Sequence, residues 1–557
     1  SGISQENIPV ELVYQLVEGG SLKLSWLLNV YPLDGIHWWN VRVDANSGII
    51  LQKNDWTVNC NFNSETGKHS HISKKKPLNL SKEPLSFEVD QYNVFALPVE
   101  SPNHGSRLTV ANPQNSAASP FGWHDTNGAT GAEFTITRGN NVHAQLDDDG
   151  NNGTGYSPDG GAELDFNFPL DAVNKTPDTY KDASLTNLFY MNNVMHDIWY
   201  QYGFDEASGN FQVNNYEKGG TAGDEVFADG QDGSGRNNAN FGTPPDGQSP
   251  RMQMFLWDDD KLVTINGGTL EGTYTAYDAN FTNTGESGGD PTGAPLSENS
   301  VTADLALMDD RSSAPLEGCV SAPIFGLQGK ITVIKRGNCN FTDKIENAEN
   351  SGAVGVIMVN NVAGVISMGG ATTEITIPSV SVTQEVGDAI IAALQNGETI
   401  NTTLVNYGFD GSFDNGIIAH EYGHGISNRL IGGSSNSSCM QNNEQLGEGW
   451  SDYFGVAITM KAEDTETTLR GVGTFATNEP ITGTGIRRYP YTTDMTVNPF
   501  TFNNVKDQAF ADGSVSVHGV GSIWATMLWD LQWEMTNIYG FDADMYNGTG
   551  GNNKTMQ

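Results

Sequence analysis

Basic residues are scarce. The 557-residue chain holds 28 Lys and Arg against 67 Asp and Glu, a formal net charge of −39. Such a surface repels phosphate backbones and anionic headgroups, which excludes nucleic acid and argues against an acidic membrane as partner. Cysteine is scarcer still, four in the chain and none in a CxxC pair, so a disulfide framework, a zinc ribbon and a thioredoxin-like motif are all excluded. No run of 18 apolar residues occurs, so no helix spans a bilayer. The chain opens Ser1-Gly2-Ile3 without the charged-then-apolar pattern of a signal peptide. Glycine, by contrast, is abundant at 65 residues, and with the many Asn and Asp it predicts frequent turns and long loops. Hydrophobic residues at 37% and aromatics at 10% are enough for packed cores. At roughly 150 residues per domain, the length predicts three or four domains.

The first 60 residues read as strands: Leu12 to Val17, Leu22 to Tyr31, Trp38 to Asp44 and Ile49 to Gln52, with Asp44-Ala45-Asn46-Ser47-Gly48 as a hairpin turn. Residues 61–104 lose the pattern, carry Lys74-Lys75-Lys76-Pro77, and read as a linker. Residues 105–183 are turn-rich. Asp147-Asp148-Asp149-Gly150-Asn151 invites a calcium reading, but Asn152 stands where an EF-hand needs glycine, and a solvated acidic loop is the preferred reading. A helix is predicted over 184–202, with Leu185, Leu188, Phe189, Val194, Met195, Ile198 and Trp199 on one face and Gly203 at its end. His196 inside it reads as a packed or surface residue. Residues 262–404 alternate strand-like runs (Ile331–Ile334, Val354–Val359) with helices near 341–352 and 384–396, an α/β pattern of domain size. Cys319 and Cys339 are its only cysteines; a disulfide is expected in an oxidising compartment, with two buried thiols as the other reading. Three helices follow, over 414–430, 446–461 and 516–537.

The chemistry lies in Gly416-Ile417-Ile418-Ala419-His420-Glu421-Tyr422-Gly423-His424-Gly425. Residues i and i+4 share a helix face one turn apart, so His420 and His424 can hold one Zn²⁺ while Glu421 acts as general base on a zinc-activated water. Asp414 or Asn415 caps this helix and Gly432-Gly433 stops it. Catalytic zinc needs a third protein ligand and an open position. Glu448, in Gly447-Glu448-Gly449-Trp450-Ser451-Asp452, is the candidate ligand. Asp452 lies at i+4 on its face, placed to accept the spare N–H of a ligand histidine. His518, in the last helix, is the candidate donor to a developing oxyanion.

These segments resemble the fungalysin metallopeptidases, relatives of thermolysin. Phe413 to Leu430 is similar to the fungalysin zinc helix almost residue for residue, as are Gly447 to Asp452 and Val517-His518. Ser119 to Asp125, Thr137 to Asn141 and Asp232 to Phe241 are similar to further family segments. The resemblance covers about 105–260 and 405–557. It implies a multidomain α+β architecture: a thermolysin-like catalytic domain with a turn-rich β lobe (105–261) and a helical, zinc-binding lobe (405–557). It also implies a secreted, extracellular endopeptidase cutting protein or peptide substrates, with His420, His424 and Glu448 on zinc, Glu421 as base and His518 as oxyanion donor. By the thermolysin pattern, Asn238 and Ala239 form the edge strand that pairs with substrate, and Arg487 binds a substrate carbonyl. Residues 262–404, with Gly329 to Phe341 and Ala348 to Ile357, resemble a protease-associated domain inserted into the catalytic domain. Residues 1–60 resemble the end of a PepSY-type propeptide that keeps the enzyme a zymogen, released by cleavage in the linker.

The chain departs from the family where Gly423 replaces a usual Thr, where Cys439 stands nine residues before Glu448 in place of a Tyr, and at Asn552 to Gln557, where relatives continue into more helix and the catalytic domain is expected to be truncated. Two other functions fit less of the pattern. A zinc aminopeptidase needs an acidic anchor for the substrate amine, and none is identified. A secreted binding protein on an inactive protease scaffold has no reason to keep Glu421.

Overall fold

The computed structural model describes residues 3–556 apart from 6, 18–19, 34, 60–89, 171–176, 259–261, 283–290, 293–295, 297–299, 321–325, 365, 367, 372–374, 407, 441, 443–445, 510–514 and 546–553. It is a mixed α+β chain with several sheets. The N-terminal segment is an antiparallel meander of β1 (Val10–Val17), β2 (Ser21–Val30), β3 (Trp39–Asp44) and β4 (Ile50–Asp55). Alternation places Leu12, Tyr14, Leu16 and Leu22 on an exposed face. The opposite, polar face presents Glu11, Asn29, Asn40, Arg42 and Asn54 to a cavity of about 640 Å³ shared with the 435–439 loop. A short strand, β5 (Thr57–Asn59), follows.

Next come β6 (Gln91–Val94), β7 (Leu108–Ala111), β8 (Val142–Leu146), β9 (Asp165–Phe166) and the long helix α1 (Lys181–Gln201). The linker expected over 61–104 therefore ends earlier. Residues 60–89, with Lys74 to Lys76, lie outside the described residues, but Tyr92 and Val94 of β6 are fully buried in the main core. Four residues of alternation beside Pro98 are too short a run to register as a strand in the sequence. The strands β10 (Val226–Gly230), β11 (Ala239–Gly242) and β12 (Arg251–Met254) join β5 and β8 in one sheet of order β5-β11-β12-β10-β8. Thus β5 is added antiparallel to β11, with Thr57 opposite Gly242, Val58 opposite Phe241 and Asn59 opposite Asn240.

Residues 262–404 form an eight-stranded sheet whose centre is parallel: Val301–Leu307, Ile331–Lys335, Gly355–Val359 and Ser379–Val382. The helices α2 (Phe341–Asn350) and α3 (Gln384–Gln395) flank it. Val333, Ile357, Val380 and Ile390 build a core of its own, and Cys319 and Cys339 are disulfide-bonded. Its two ends meet, Val263 pairing with Leu404, and Leu256–Trp257 pairs with Phe409–Asp410 just outside. The chain then returns to the main core through α4 (Asn415–Ile431), α5 (Gly447–Ile458) and α6 (Val517–Tyr539). Ile417, Ile418 and Tyr422 pack there with Leu188, Met195 and Phe241. Among the described residues no helix is long and apolar enough to cross a membrane.

Candidate metal centre

Helix α4 is buried from Asn415 to Arg429. Asp414 caps it, its carboxylate accepting from the Ile417 amide at 3.2 Å. One turn separates His420 from His424, and both imidazoles face the first turn of α5. Close helix packing brings that turn in: a Cβ at Gly423 would lie 2.7 Å from the Phe454 ring and 3.0 Å from the Ser451 Cα. The fit between α5 and α6 is equally tight, a Cβ at Gly521 falling 2.5 Å from the Glu448 Cβ.

The result is a cluster of three ligand-type side chains. His420 Nε2 is 3.1 Å from His424 Nε2 and 3.3 Å from Glu448 Oε2, and His424 Nε2 is 3.7 Å from Glu448 Oε1. All three side chains are buried. Two imidazoles and a carboxylate converging this closely are a donor set that Zn²⁺ takes, so the residues fit zinc in their chemistry. Burial pushes His424 down to about 3, so its ring is neutral at neutral pH, the form in which imidazole binds a metal. Burial alone would raise the Glu448 carboxyl, but His518, His424 and His420 outweigh it and hold it well below the usual carboxylate range. His420 moves the other way, to about 9: burial lowers it, and the Asp452 and Glu448 carboxylates more than compensate.

The remaining residues singled out in the sequence fall around this cluster. Asp452 Oδ1 is 2.8 Å from His420 Nδ1. Glu421 is fully buried next to His420. His518 Nε2 lies 3.4 Å from Glu448 Oε1, with 24% of the side chain exposed, so it borders the open side. Arg487 is buried and turned to the carboxylates: Nε is 2.7 Å and Nη2 2.8 Å from Asp452, and Nη2 is 3.3 Å from Glu448. Asn238 directly precedes β11, and its Oδ1 is buried without a hydrogen-bond partner among the described residues. The free edge of β11 is taken by β5, and Trp38 packs over Gly242, 3.2 Å from where a Cβ would stand.

Two features had no sequence signal. Tyr491 donates its hydroxyl to Asp452. The acidic segment at 147 is not a solvated loop throughout: Asp148 and Asp149 are exposed, but Asp147 is buried, within 4.8 Å of Asp229 and Asp232. The calcium reading falls on this cluster, where Arg251, bonded to Asp229, supplies the counter-charge. His196 is a packed residue, buried between Asp197 and Asn210.

A family model described as fungalysin metallopeptidase (M36) matches residues 91–557. Extracellular metalloproteinase 1 of Arthroderma otae is 28% identical over 538 residues, covering 95% of this chain and 55% of that protein. Extracellular metalloproteinase 1 of Phaeosphaeria nodorum is 29% identical over 453 residues, covering 81% of this chain and 47% of that protein. The chain thus spans about half the length of the curated relatives it matches. Among solved structures, the aminopeptidase from Aneurinibacillus sp. strain AM-1 matches at a TM-score of 0.20 and 28% identity over 28% of this chain and 33% of that one, too local a likeness to bear on activity.

Proposed function

The chain belongs to the fungalysin metallopeptidases (M36), and from that membership we propose that it is a secreted, zinc-dependent endopeptidase cutting internal peptide bonds of proteins. The observation that carries this reading is the buried cluster of His420, His424 and Glu448, whose side chains approach pairwise to 3.1, 3.3 and 3.7 Å. These three residues hold one zinc ion, and Asp452 fixes the ring of His420. Zinc bound there supplies Lewis acidity toward a peptide carbonyl and a water molecule. Glu421 takes the proton from the attacking water and passes it to the leaving amine; its burial beside His420 keeps it out of competing solvent. His518, the partly exposed group at the rim, donates to the carbonyl oxygen as negative charge develops. The substrate backbone lies along β11 as an added strand, and the buried Oδ1 of Asn238 supports an acceptor role beside Ala239. Arg487, its guanidinium oriented by Asp452 and Glu448, binds a substrate carbonyl near the cleaved bond.

Residues 1–60 serve as a propeptide. The pairing of β5 with β11 supports this, because it fills the edge a substrate strand needs. Residues 262–404 serve as a protease-associated domain that tunes access of large substrates, a reading supported by a core of its own and adjoining ends. Secretion accords with the printed names of the relatives, which are extracellular metalloproteinases. Glu421→Gln tests the mechanism. It is expected to retain a single bound zinc and to lose turnover by about 10²–10⁴-fold. A variant that keeps more than a few per cent of activity requires another base.

A further inference from the structure

Asp452 collects four donors on two oxygens. Oδ1 takes His420 Nδ1 at 2.8 Å and Arg487 Nη2 at 2.8 Å; Oδ2 takes Arg487 Nε at 2.7 Å and the hydroxyl of Tyr491. Tyr491 comes from a loop that forms an isolated bridge with Arg470, its amide donating to the Arg470 carbonyl at 2.8 Å. The ring is 1% exposed and sits among Val456, Met460, Val472 and Ala525. Phenylalanine would pack in that apolar surround as well. A hydroxyl buried there is costly unless it is hydrogen-bonded, so it is the bond to Asp452 that justifies a tyrosine at this place.

Ser522 on α6 neighbours the same hydroxyl, but its own hydroxyl donates within its helix, to the His518 carbonyl oxygen at 2.8 Å, so Asp452 is the acceptor that Tyr491 serves.

We propose that Tyr491 is a positioning residue that holds Asp452 against His420 and so fixes the ring of that candidate ligand. The proposal rests on the reading of His420, His424 and Glu448 as zinc ligands. Partners that orient ligand histidines typically contribute 10–100-fold in metal affinity. Tyr491 acts one bond further out, which puts it at the lower end.

The test compares the full chain with Tyr491→Phe and Ser522→Ala. Zinc affinity is read by competition with a chelating dye, and kcat and KM are read on a quenched peptide after trimming of the N-terminal piece. Tyr491→Phe is expected to bind zinc about tenfold more weakly and to lose kcat with little change in KM. Ser522→Ala, which leaves the Tyr491–Asp452 bond in place, is expected to keep the wild-type zinc affinity. Zinc affinity of Tyr491→Phe within about twofold of wild type, below the range expected for such partners, would overturn the proposal; so would an equal loss of zinc affinity in Ser522→Ala. If Tyr491→Phe does not fold, the full chain carrying 3-fluorotyrosine at position 491 decides: its fluorine resonance is expected to shift on zinc binding, and an unmoved resonance overturns the proposal. A wild-type chain that binds no zinc refutes the ligand assignment instead.

Discussion

Glu448 is the residue on which the metal centre turns. It is the carboxylate of the cluster, fully desolvated, and the surrounding imidazoles hold its carboxyl well below the usual carboxylate range. Glu448→Ala leaves only the two imidazoles and is expected to lose zinc under conditions where wild type retains it, read as metal content after dialysis. Asp452→Asn keeps the shape but removes the charge that opposes the His420 ring, and its zinc affinity should fall about 10–100-fold in a chelator competition. The two histidines were legible in the sequence because H-E-x-x-H fixes their spacing on a helix, and Glu448 with Asp452 followed from the same i, i+4 geometry one helix later. Arg487 and Tyr491 were not legible in their structural roles. Their bonds to Asp452 cross 35 and 39 residues, irregular from the end of α5 at Ile458 onward, where no periodicity announces which side chain turns inward. Cys439 lines the cavity under the N-terminal sheet, and nothing in its surroundings gives it the part of the tyrosine that relatives carry.

Helix packing, more than helix propensity, assembles the site. At Gly423 and Gly521 the neighbouring helix stands where a side chain would begin, so the unusual glycine in the zinc motif is an adaptation to the close approach of α5. Gly521→Ala would drive a methyl into Glu448, an overpacking error that costs about 1–3 kcal/mol. It should lower the melting temperature of the metal-free protein and weaken zinc together; an unchanged melting temperature would mean that α6 shifts freely. The helices themselves were readable, with observed bounds within a few residues of those expected. The burial of Asp147 was not, since it depends on β10 and β12, whose Asp229 and Arg251 lie more than 80 residues further along. A local charge run carries no information about such partners.

At the scale of the whole molecule, neither the inserted sheet nor the N-terminal piece contributes a residue to the cluster of His420, His424 and Glu448. Excising 262–404 and joining the Leu256–Trp257 ladder to Phe409–Asp410 should leave zinc affinity unchanged, because no candidate ligand lies in the insert; loss of zinc would make the insert part of the catalytic core. The N-terminal piece docks over charge. Tyr31 is buried in electrostatic contact with Arg251, Asp229, Asp232 and Asp147, and Gln5 bonds Asn152 beside them at 2.9 Å. Burial, reinforced by the neighbouring carboxylates, raises Asp147 and Asp232 well above the usual carboxylate range. If undocking readmits water, both bind protons more tightly in the docked state. Docking is then fully favoured below about pH 4, where both states are protonated, and is lost progressively as pH rises through the raised values. After a nick in 60–89, more of the N-terminal piece should co-elute with the catalytic part at about pH 5 than at about pH 8, and the opposite trend would contradict this. The central claim is tested most directly by one assay on the chain trimmed of its N-terminal piece: hydrolysis of an internally quenched peptide with both ends blocked, before and after zinc removal by a chelator. The expected result is cleavage within the peptide that disappears with the metal and returns on adding zinc; cleavage indifferent to the chelator, or no cleavage by zinc-loaded protein, would contradict it.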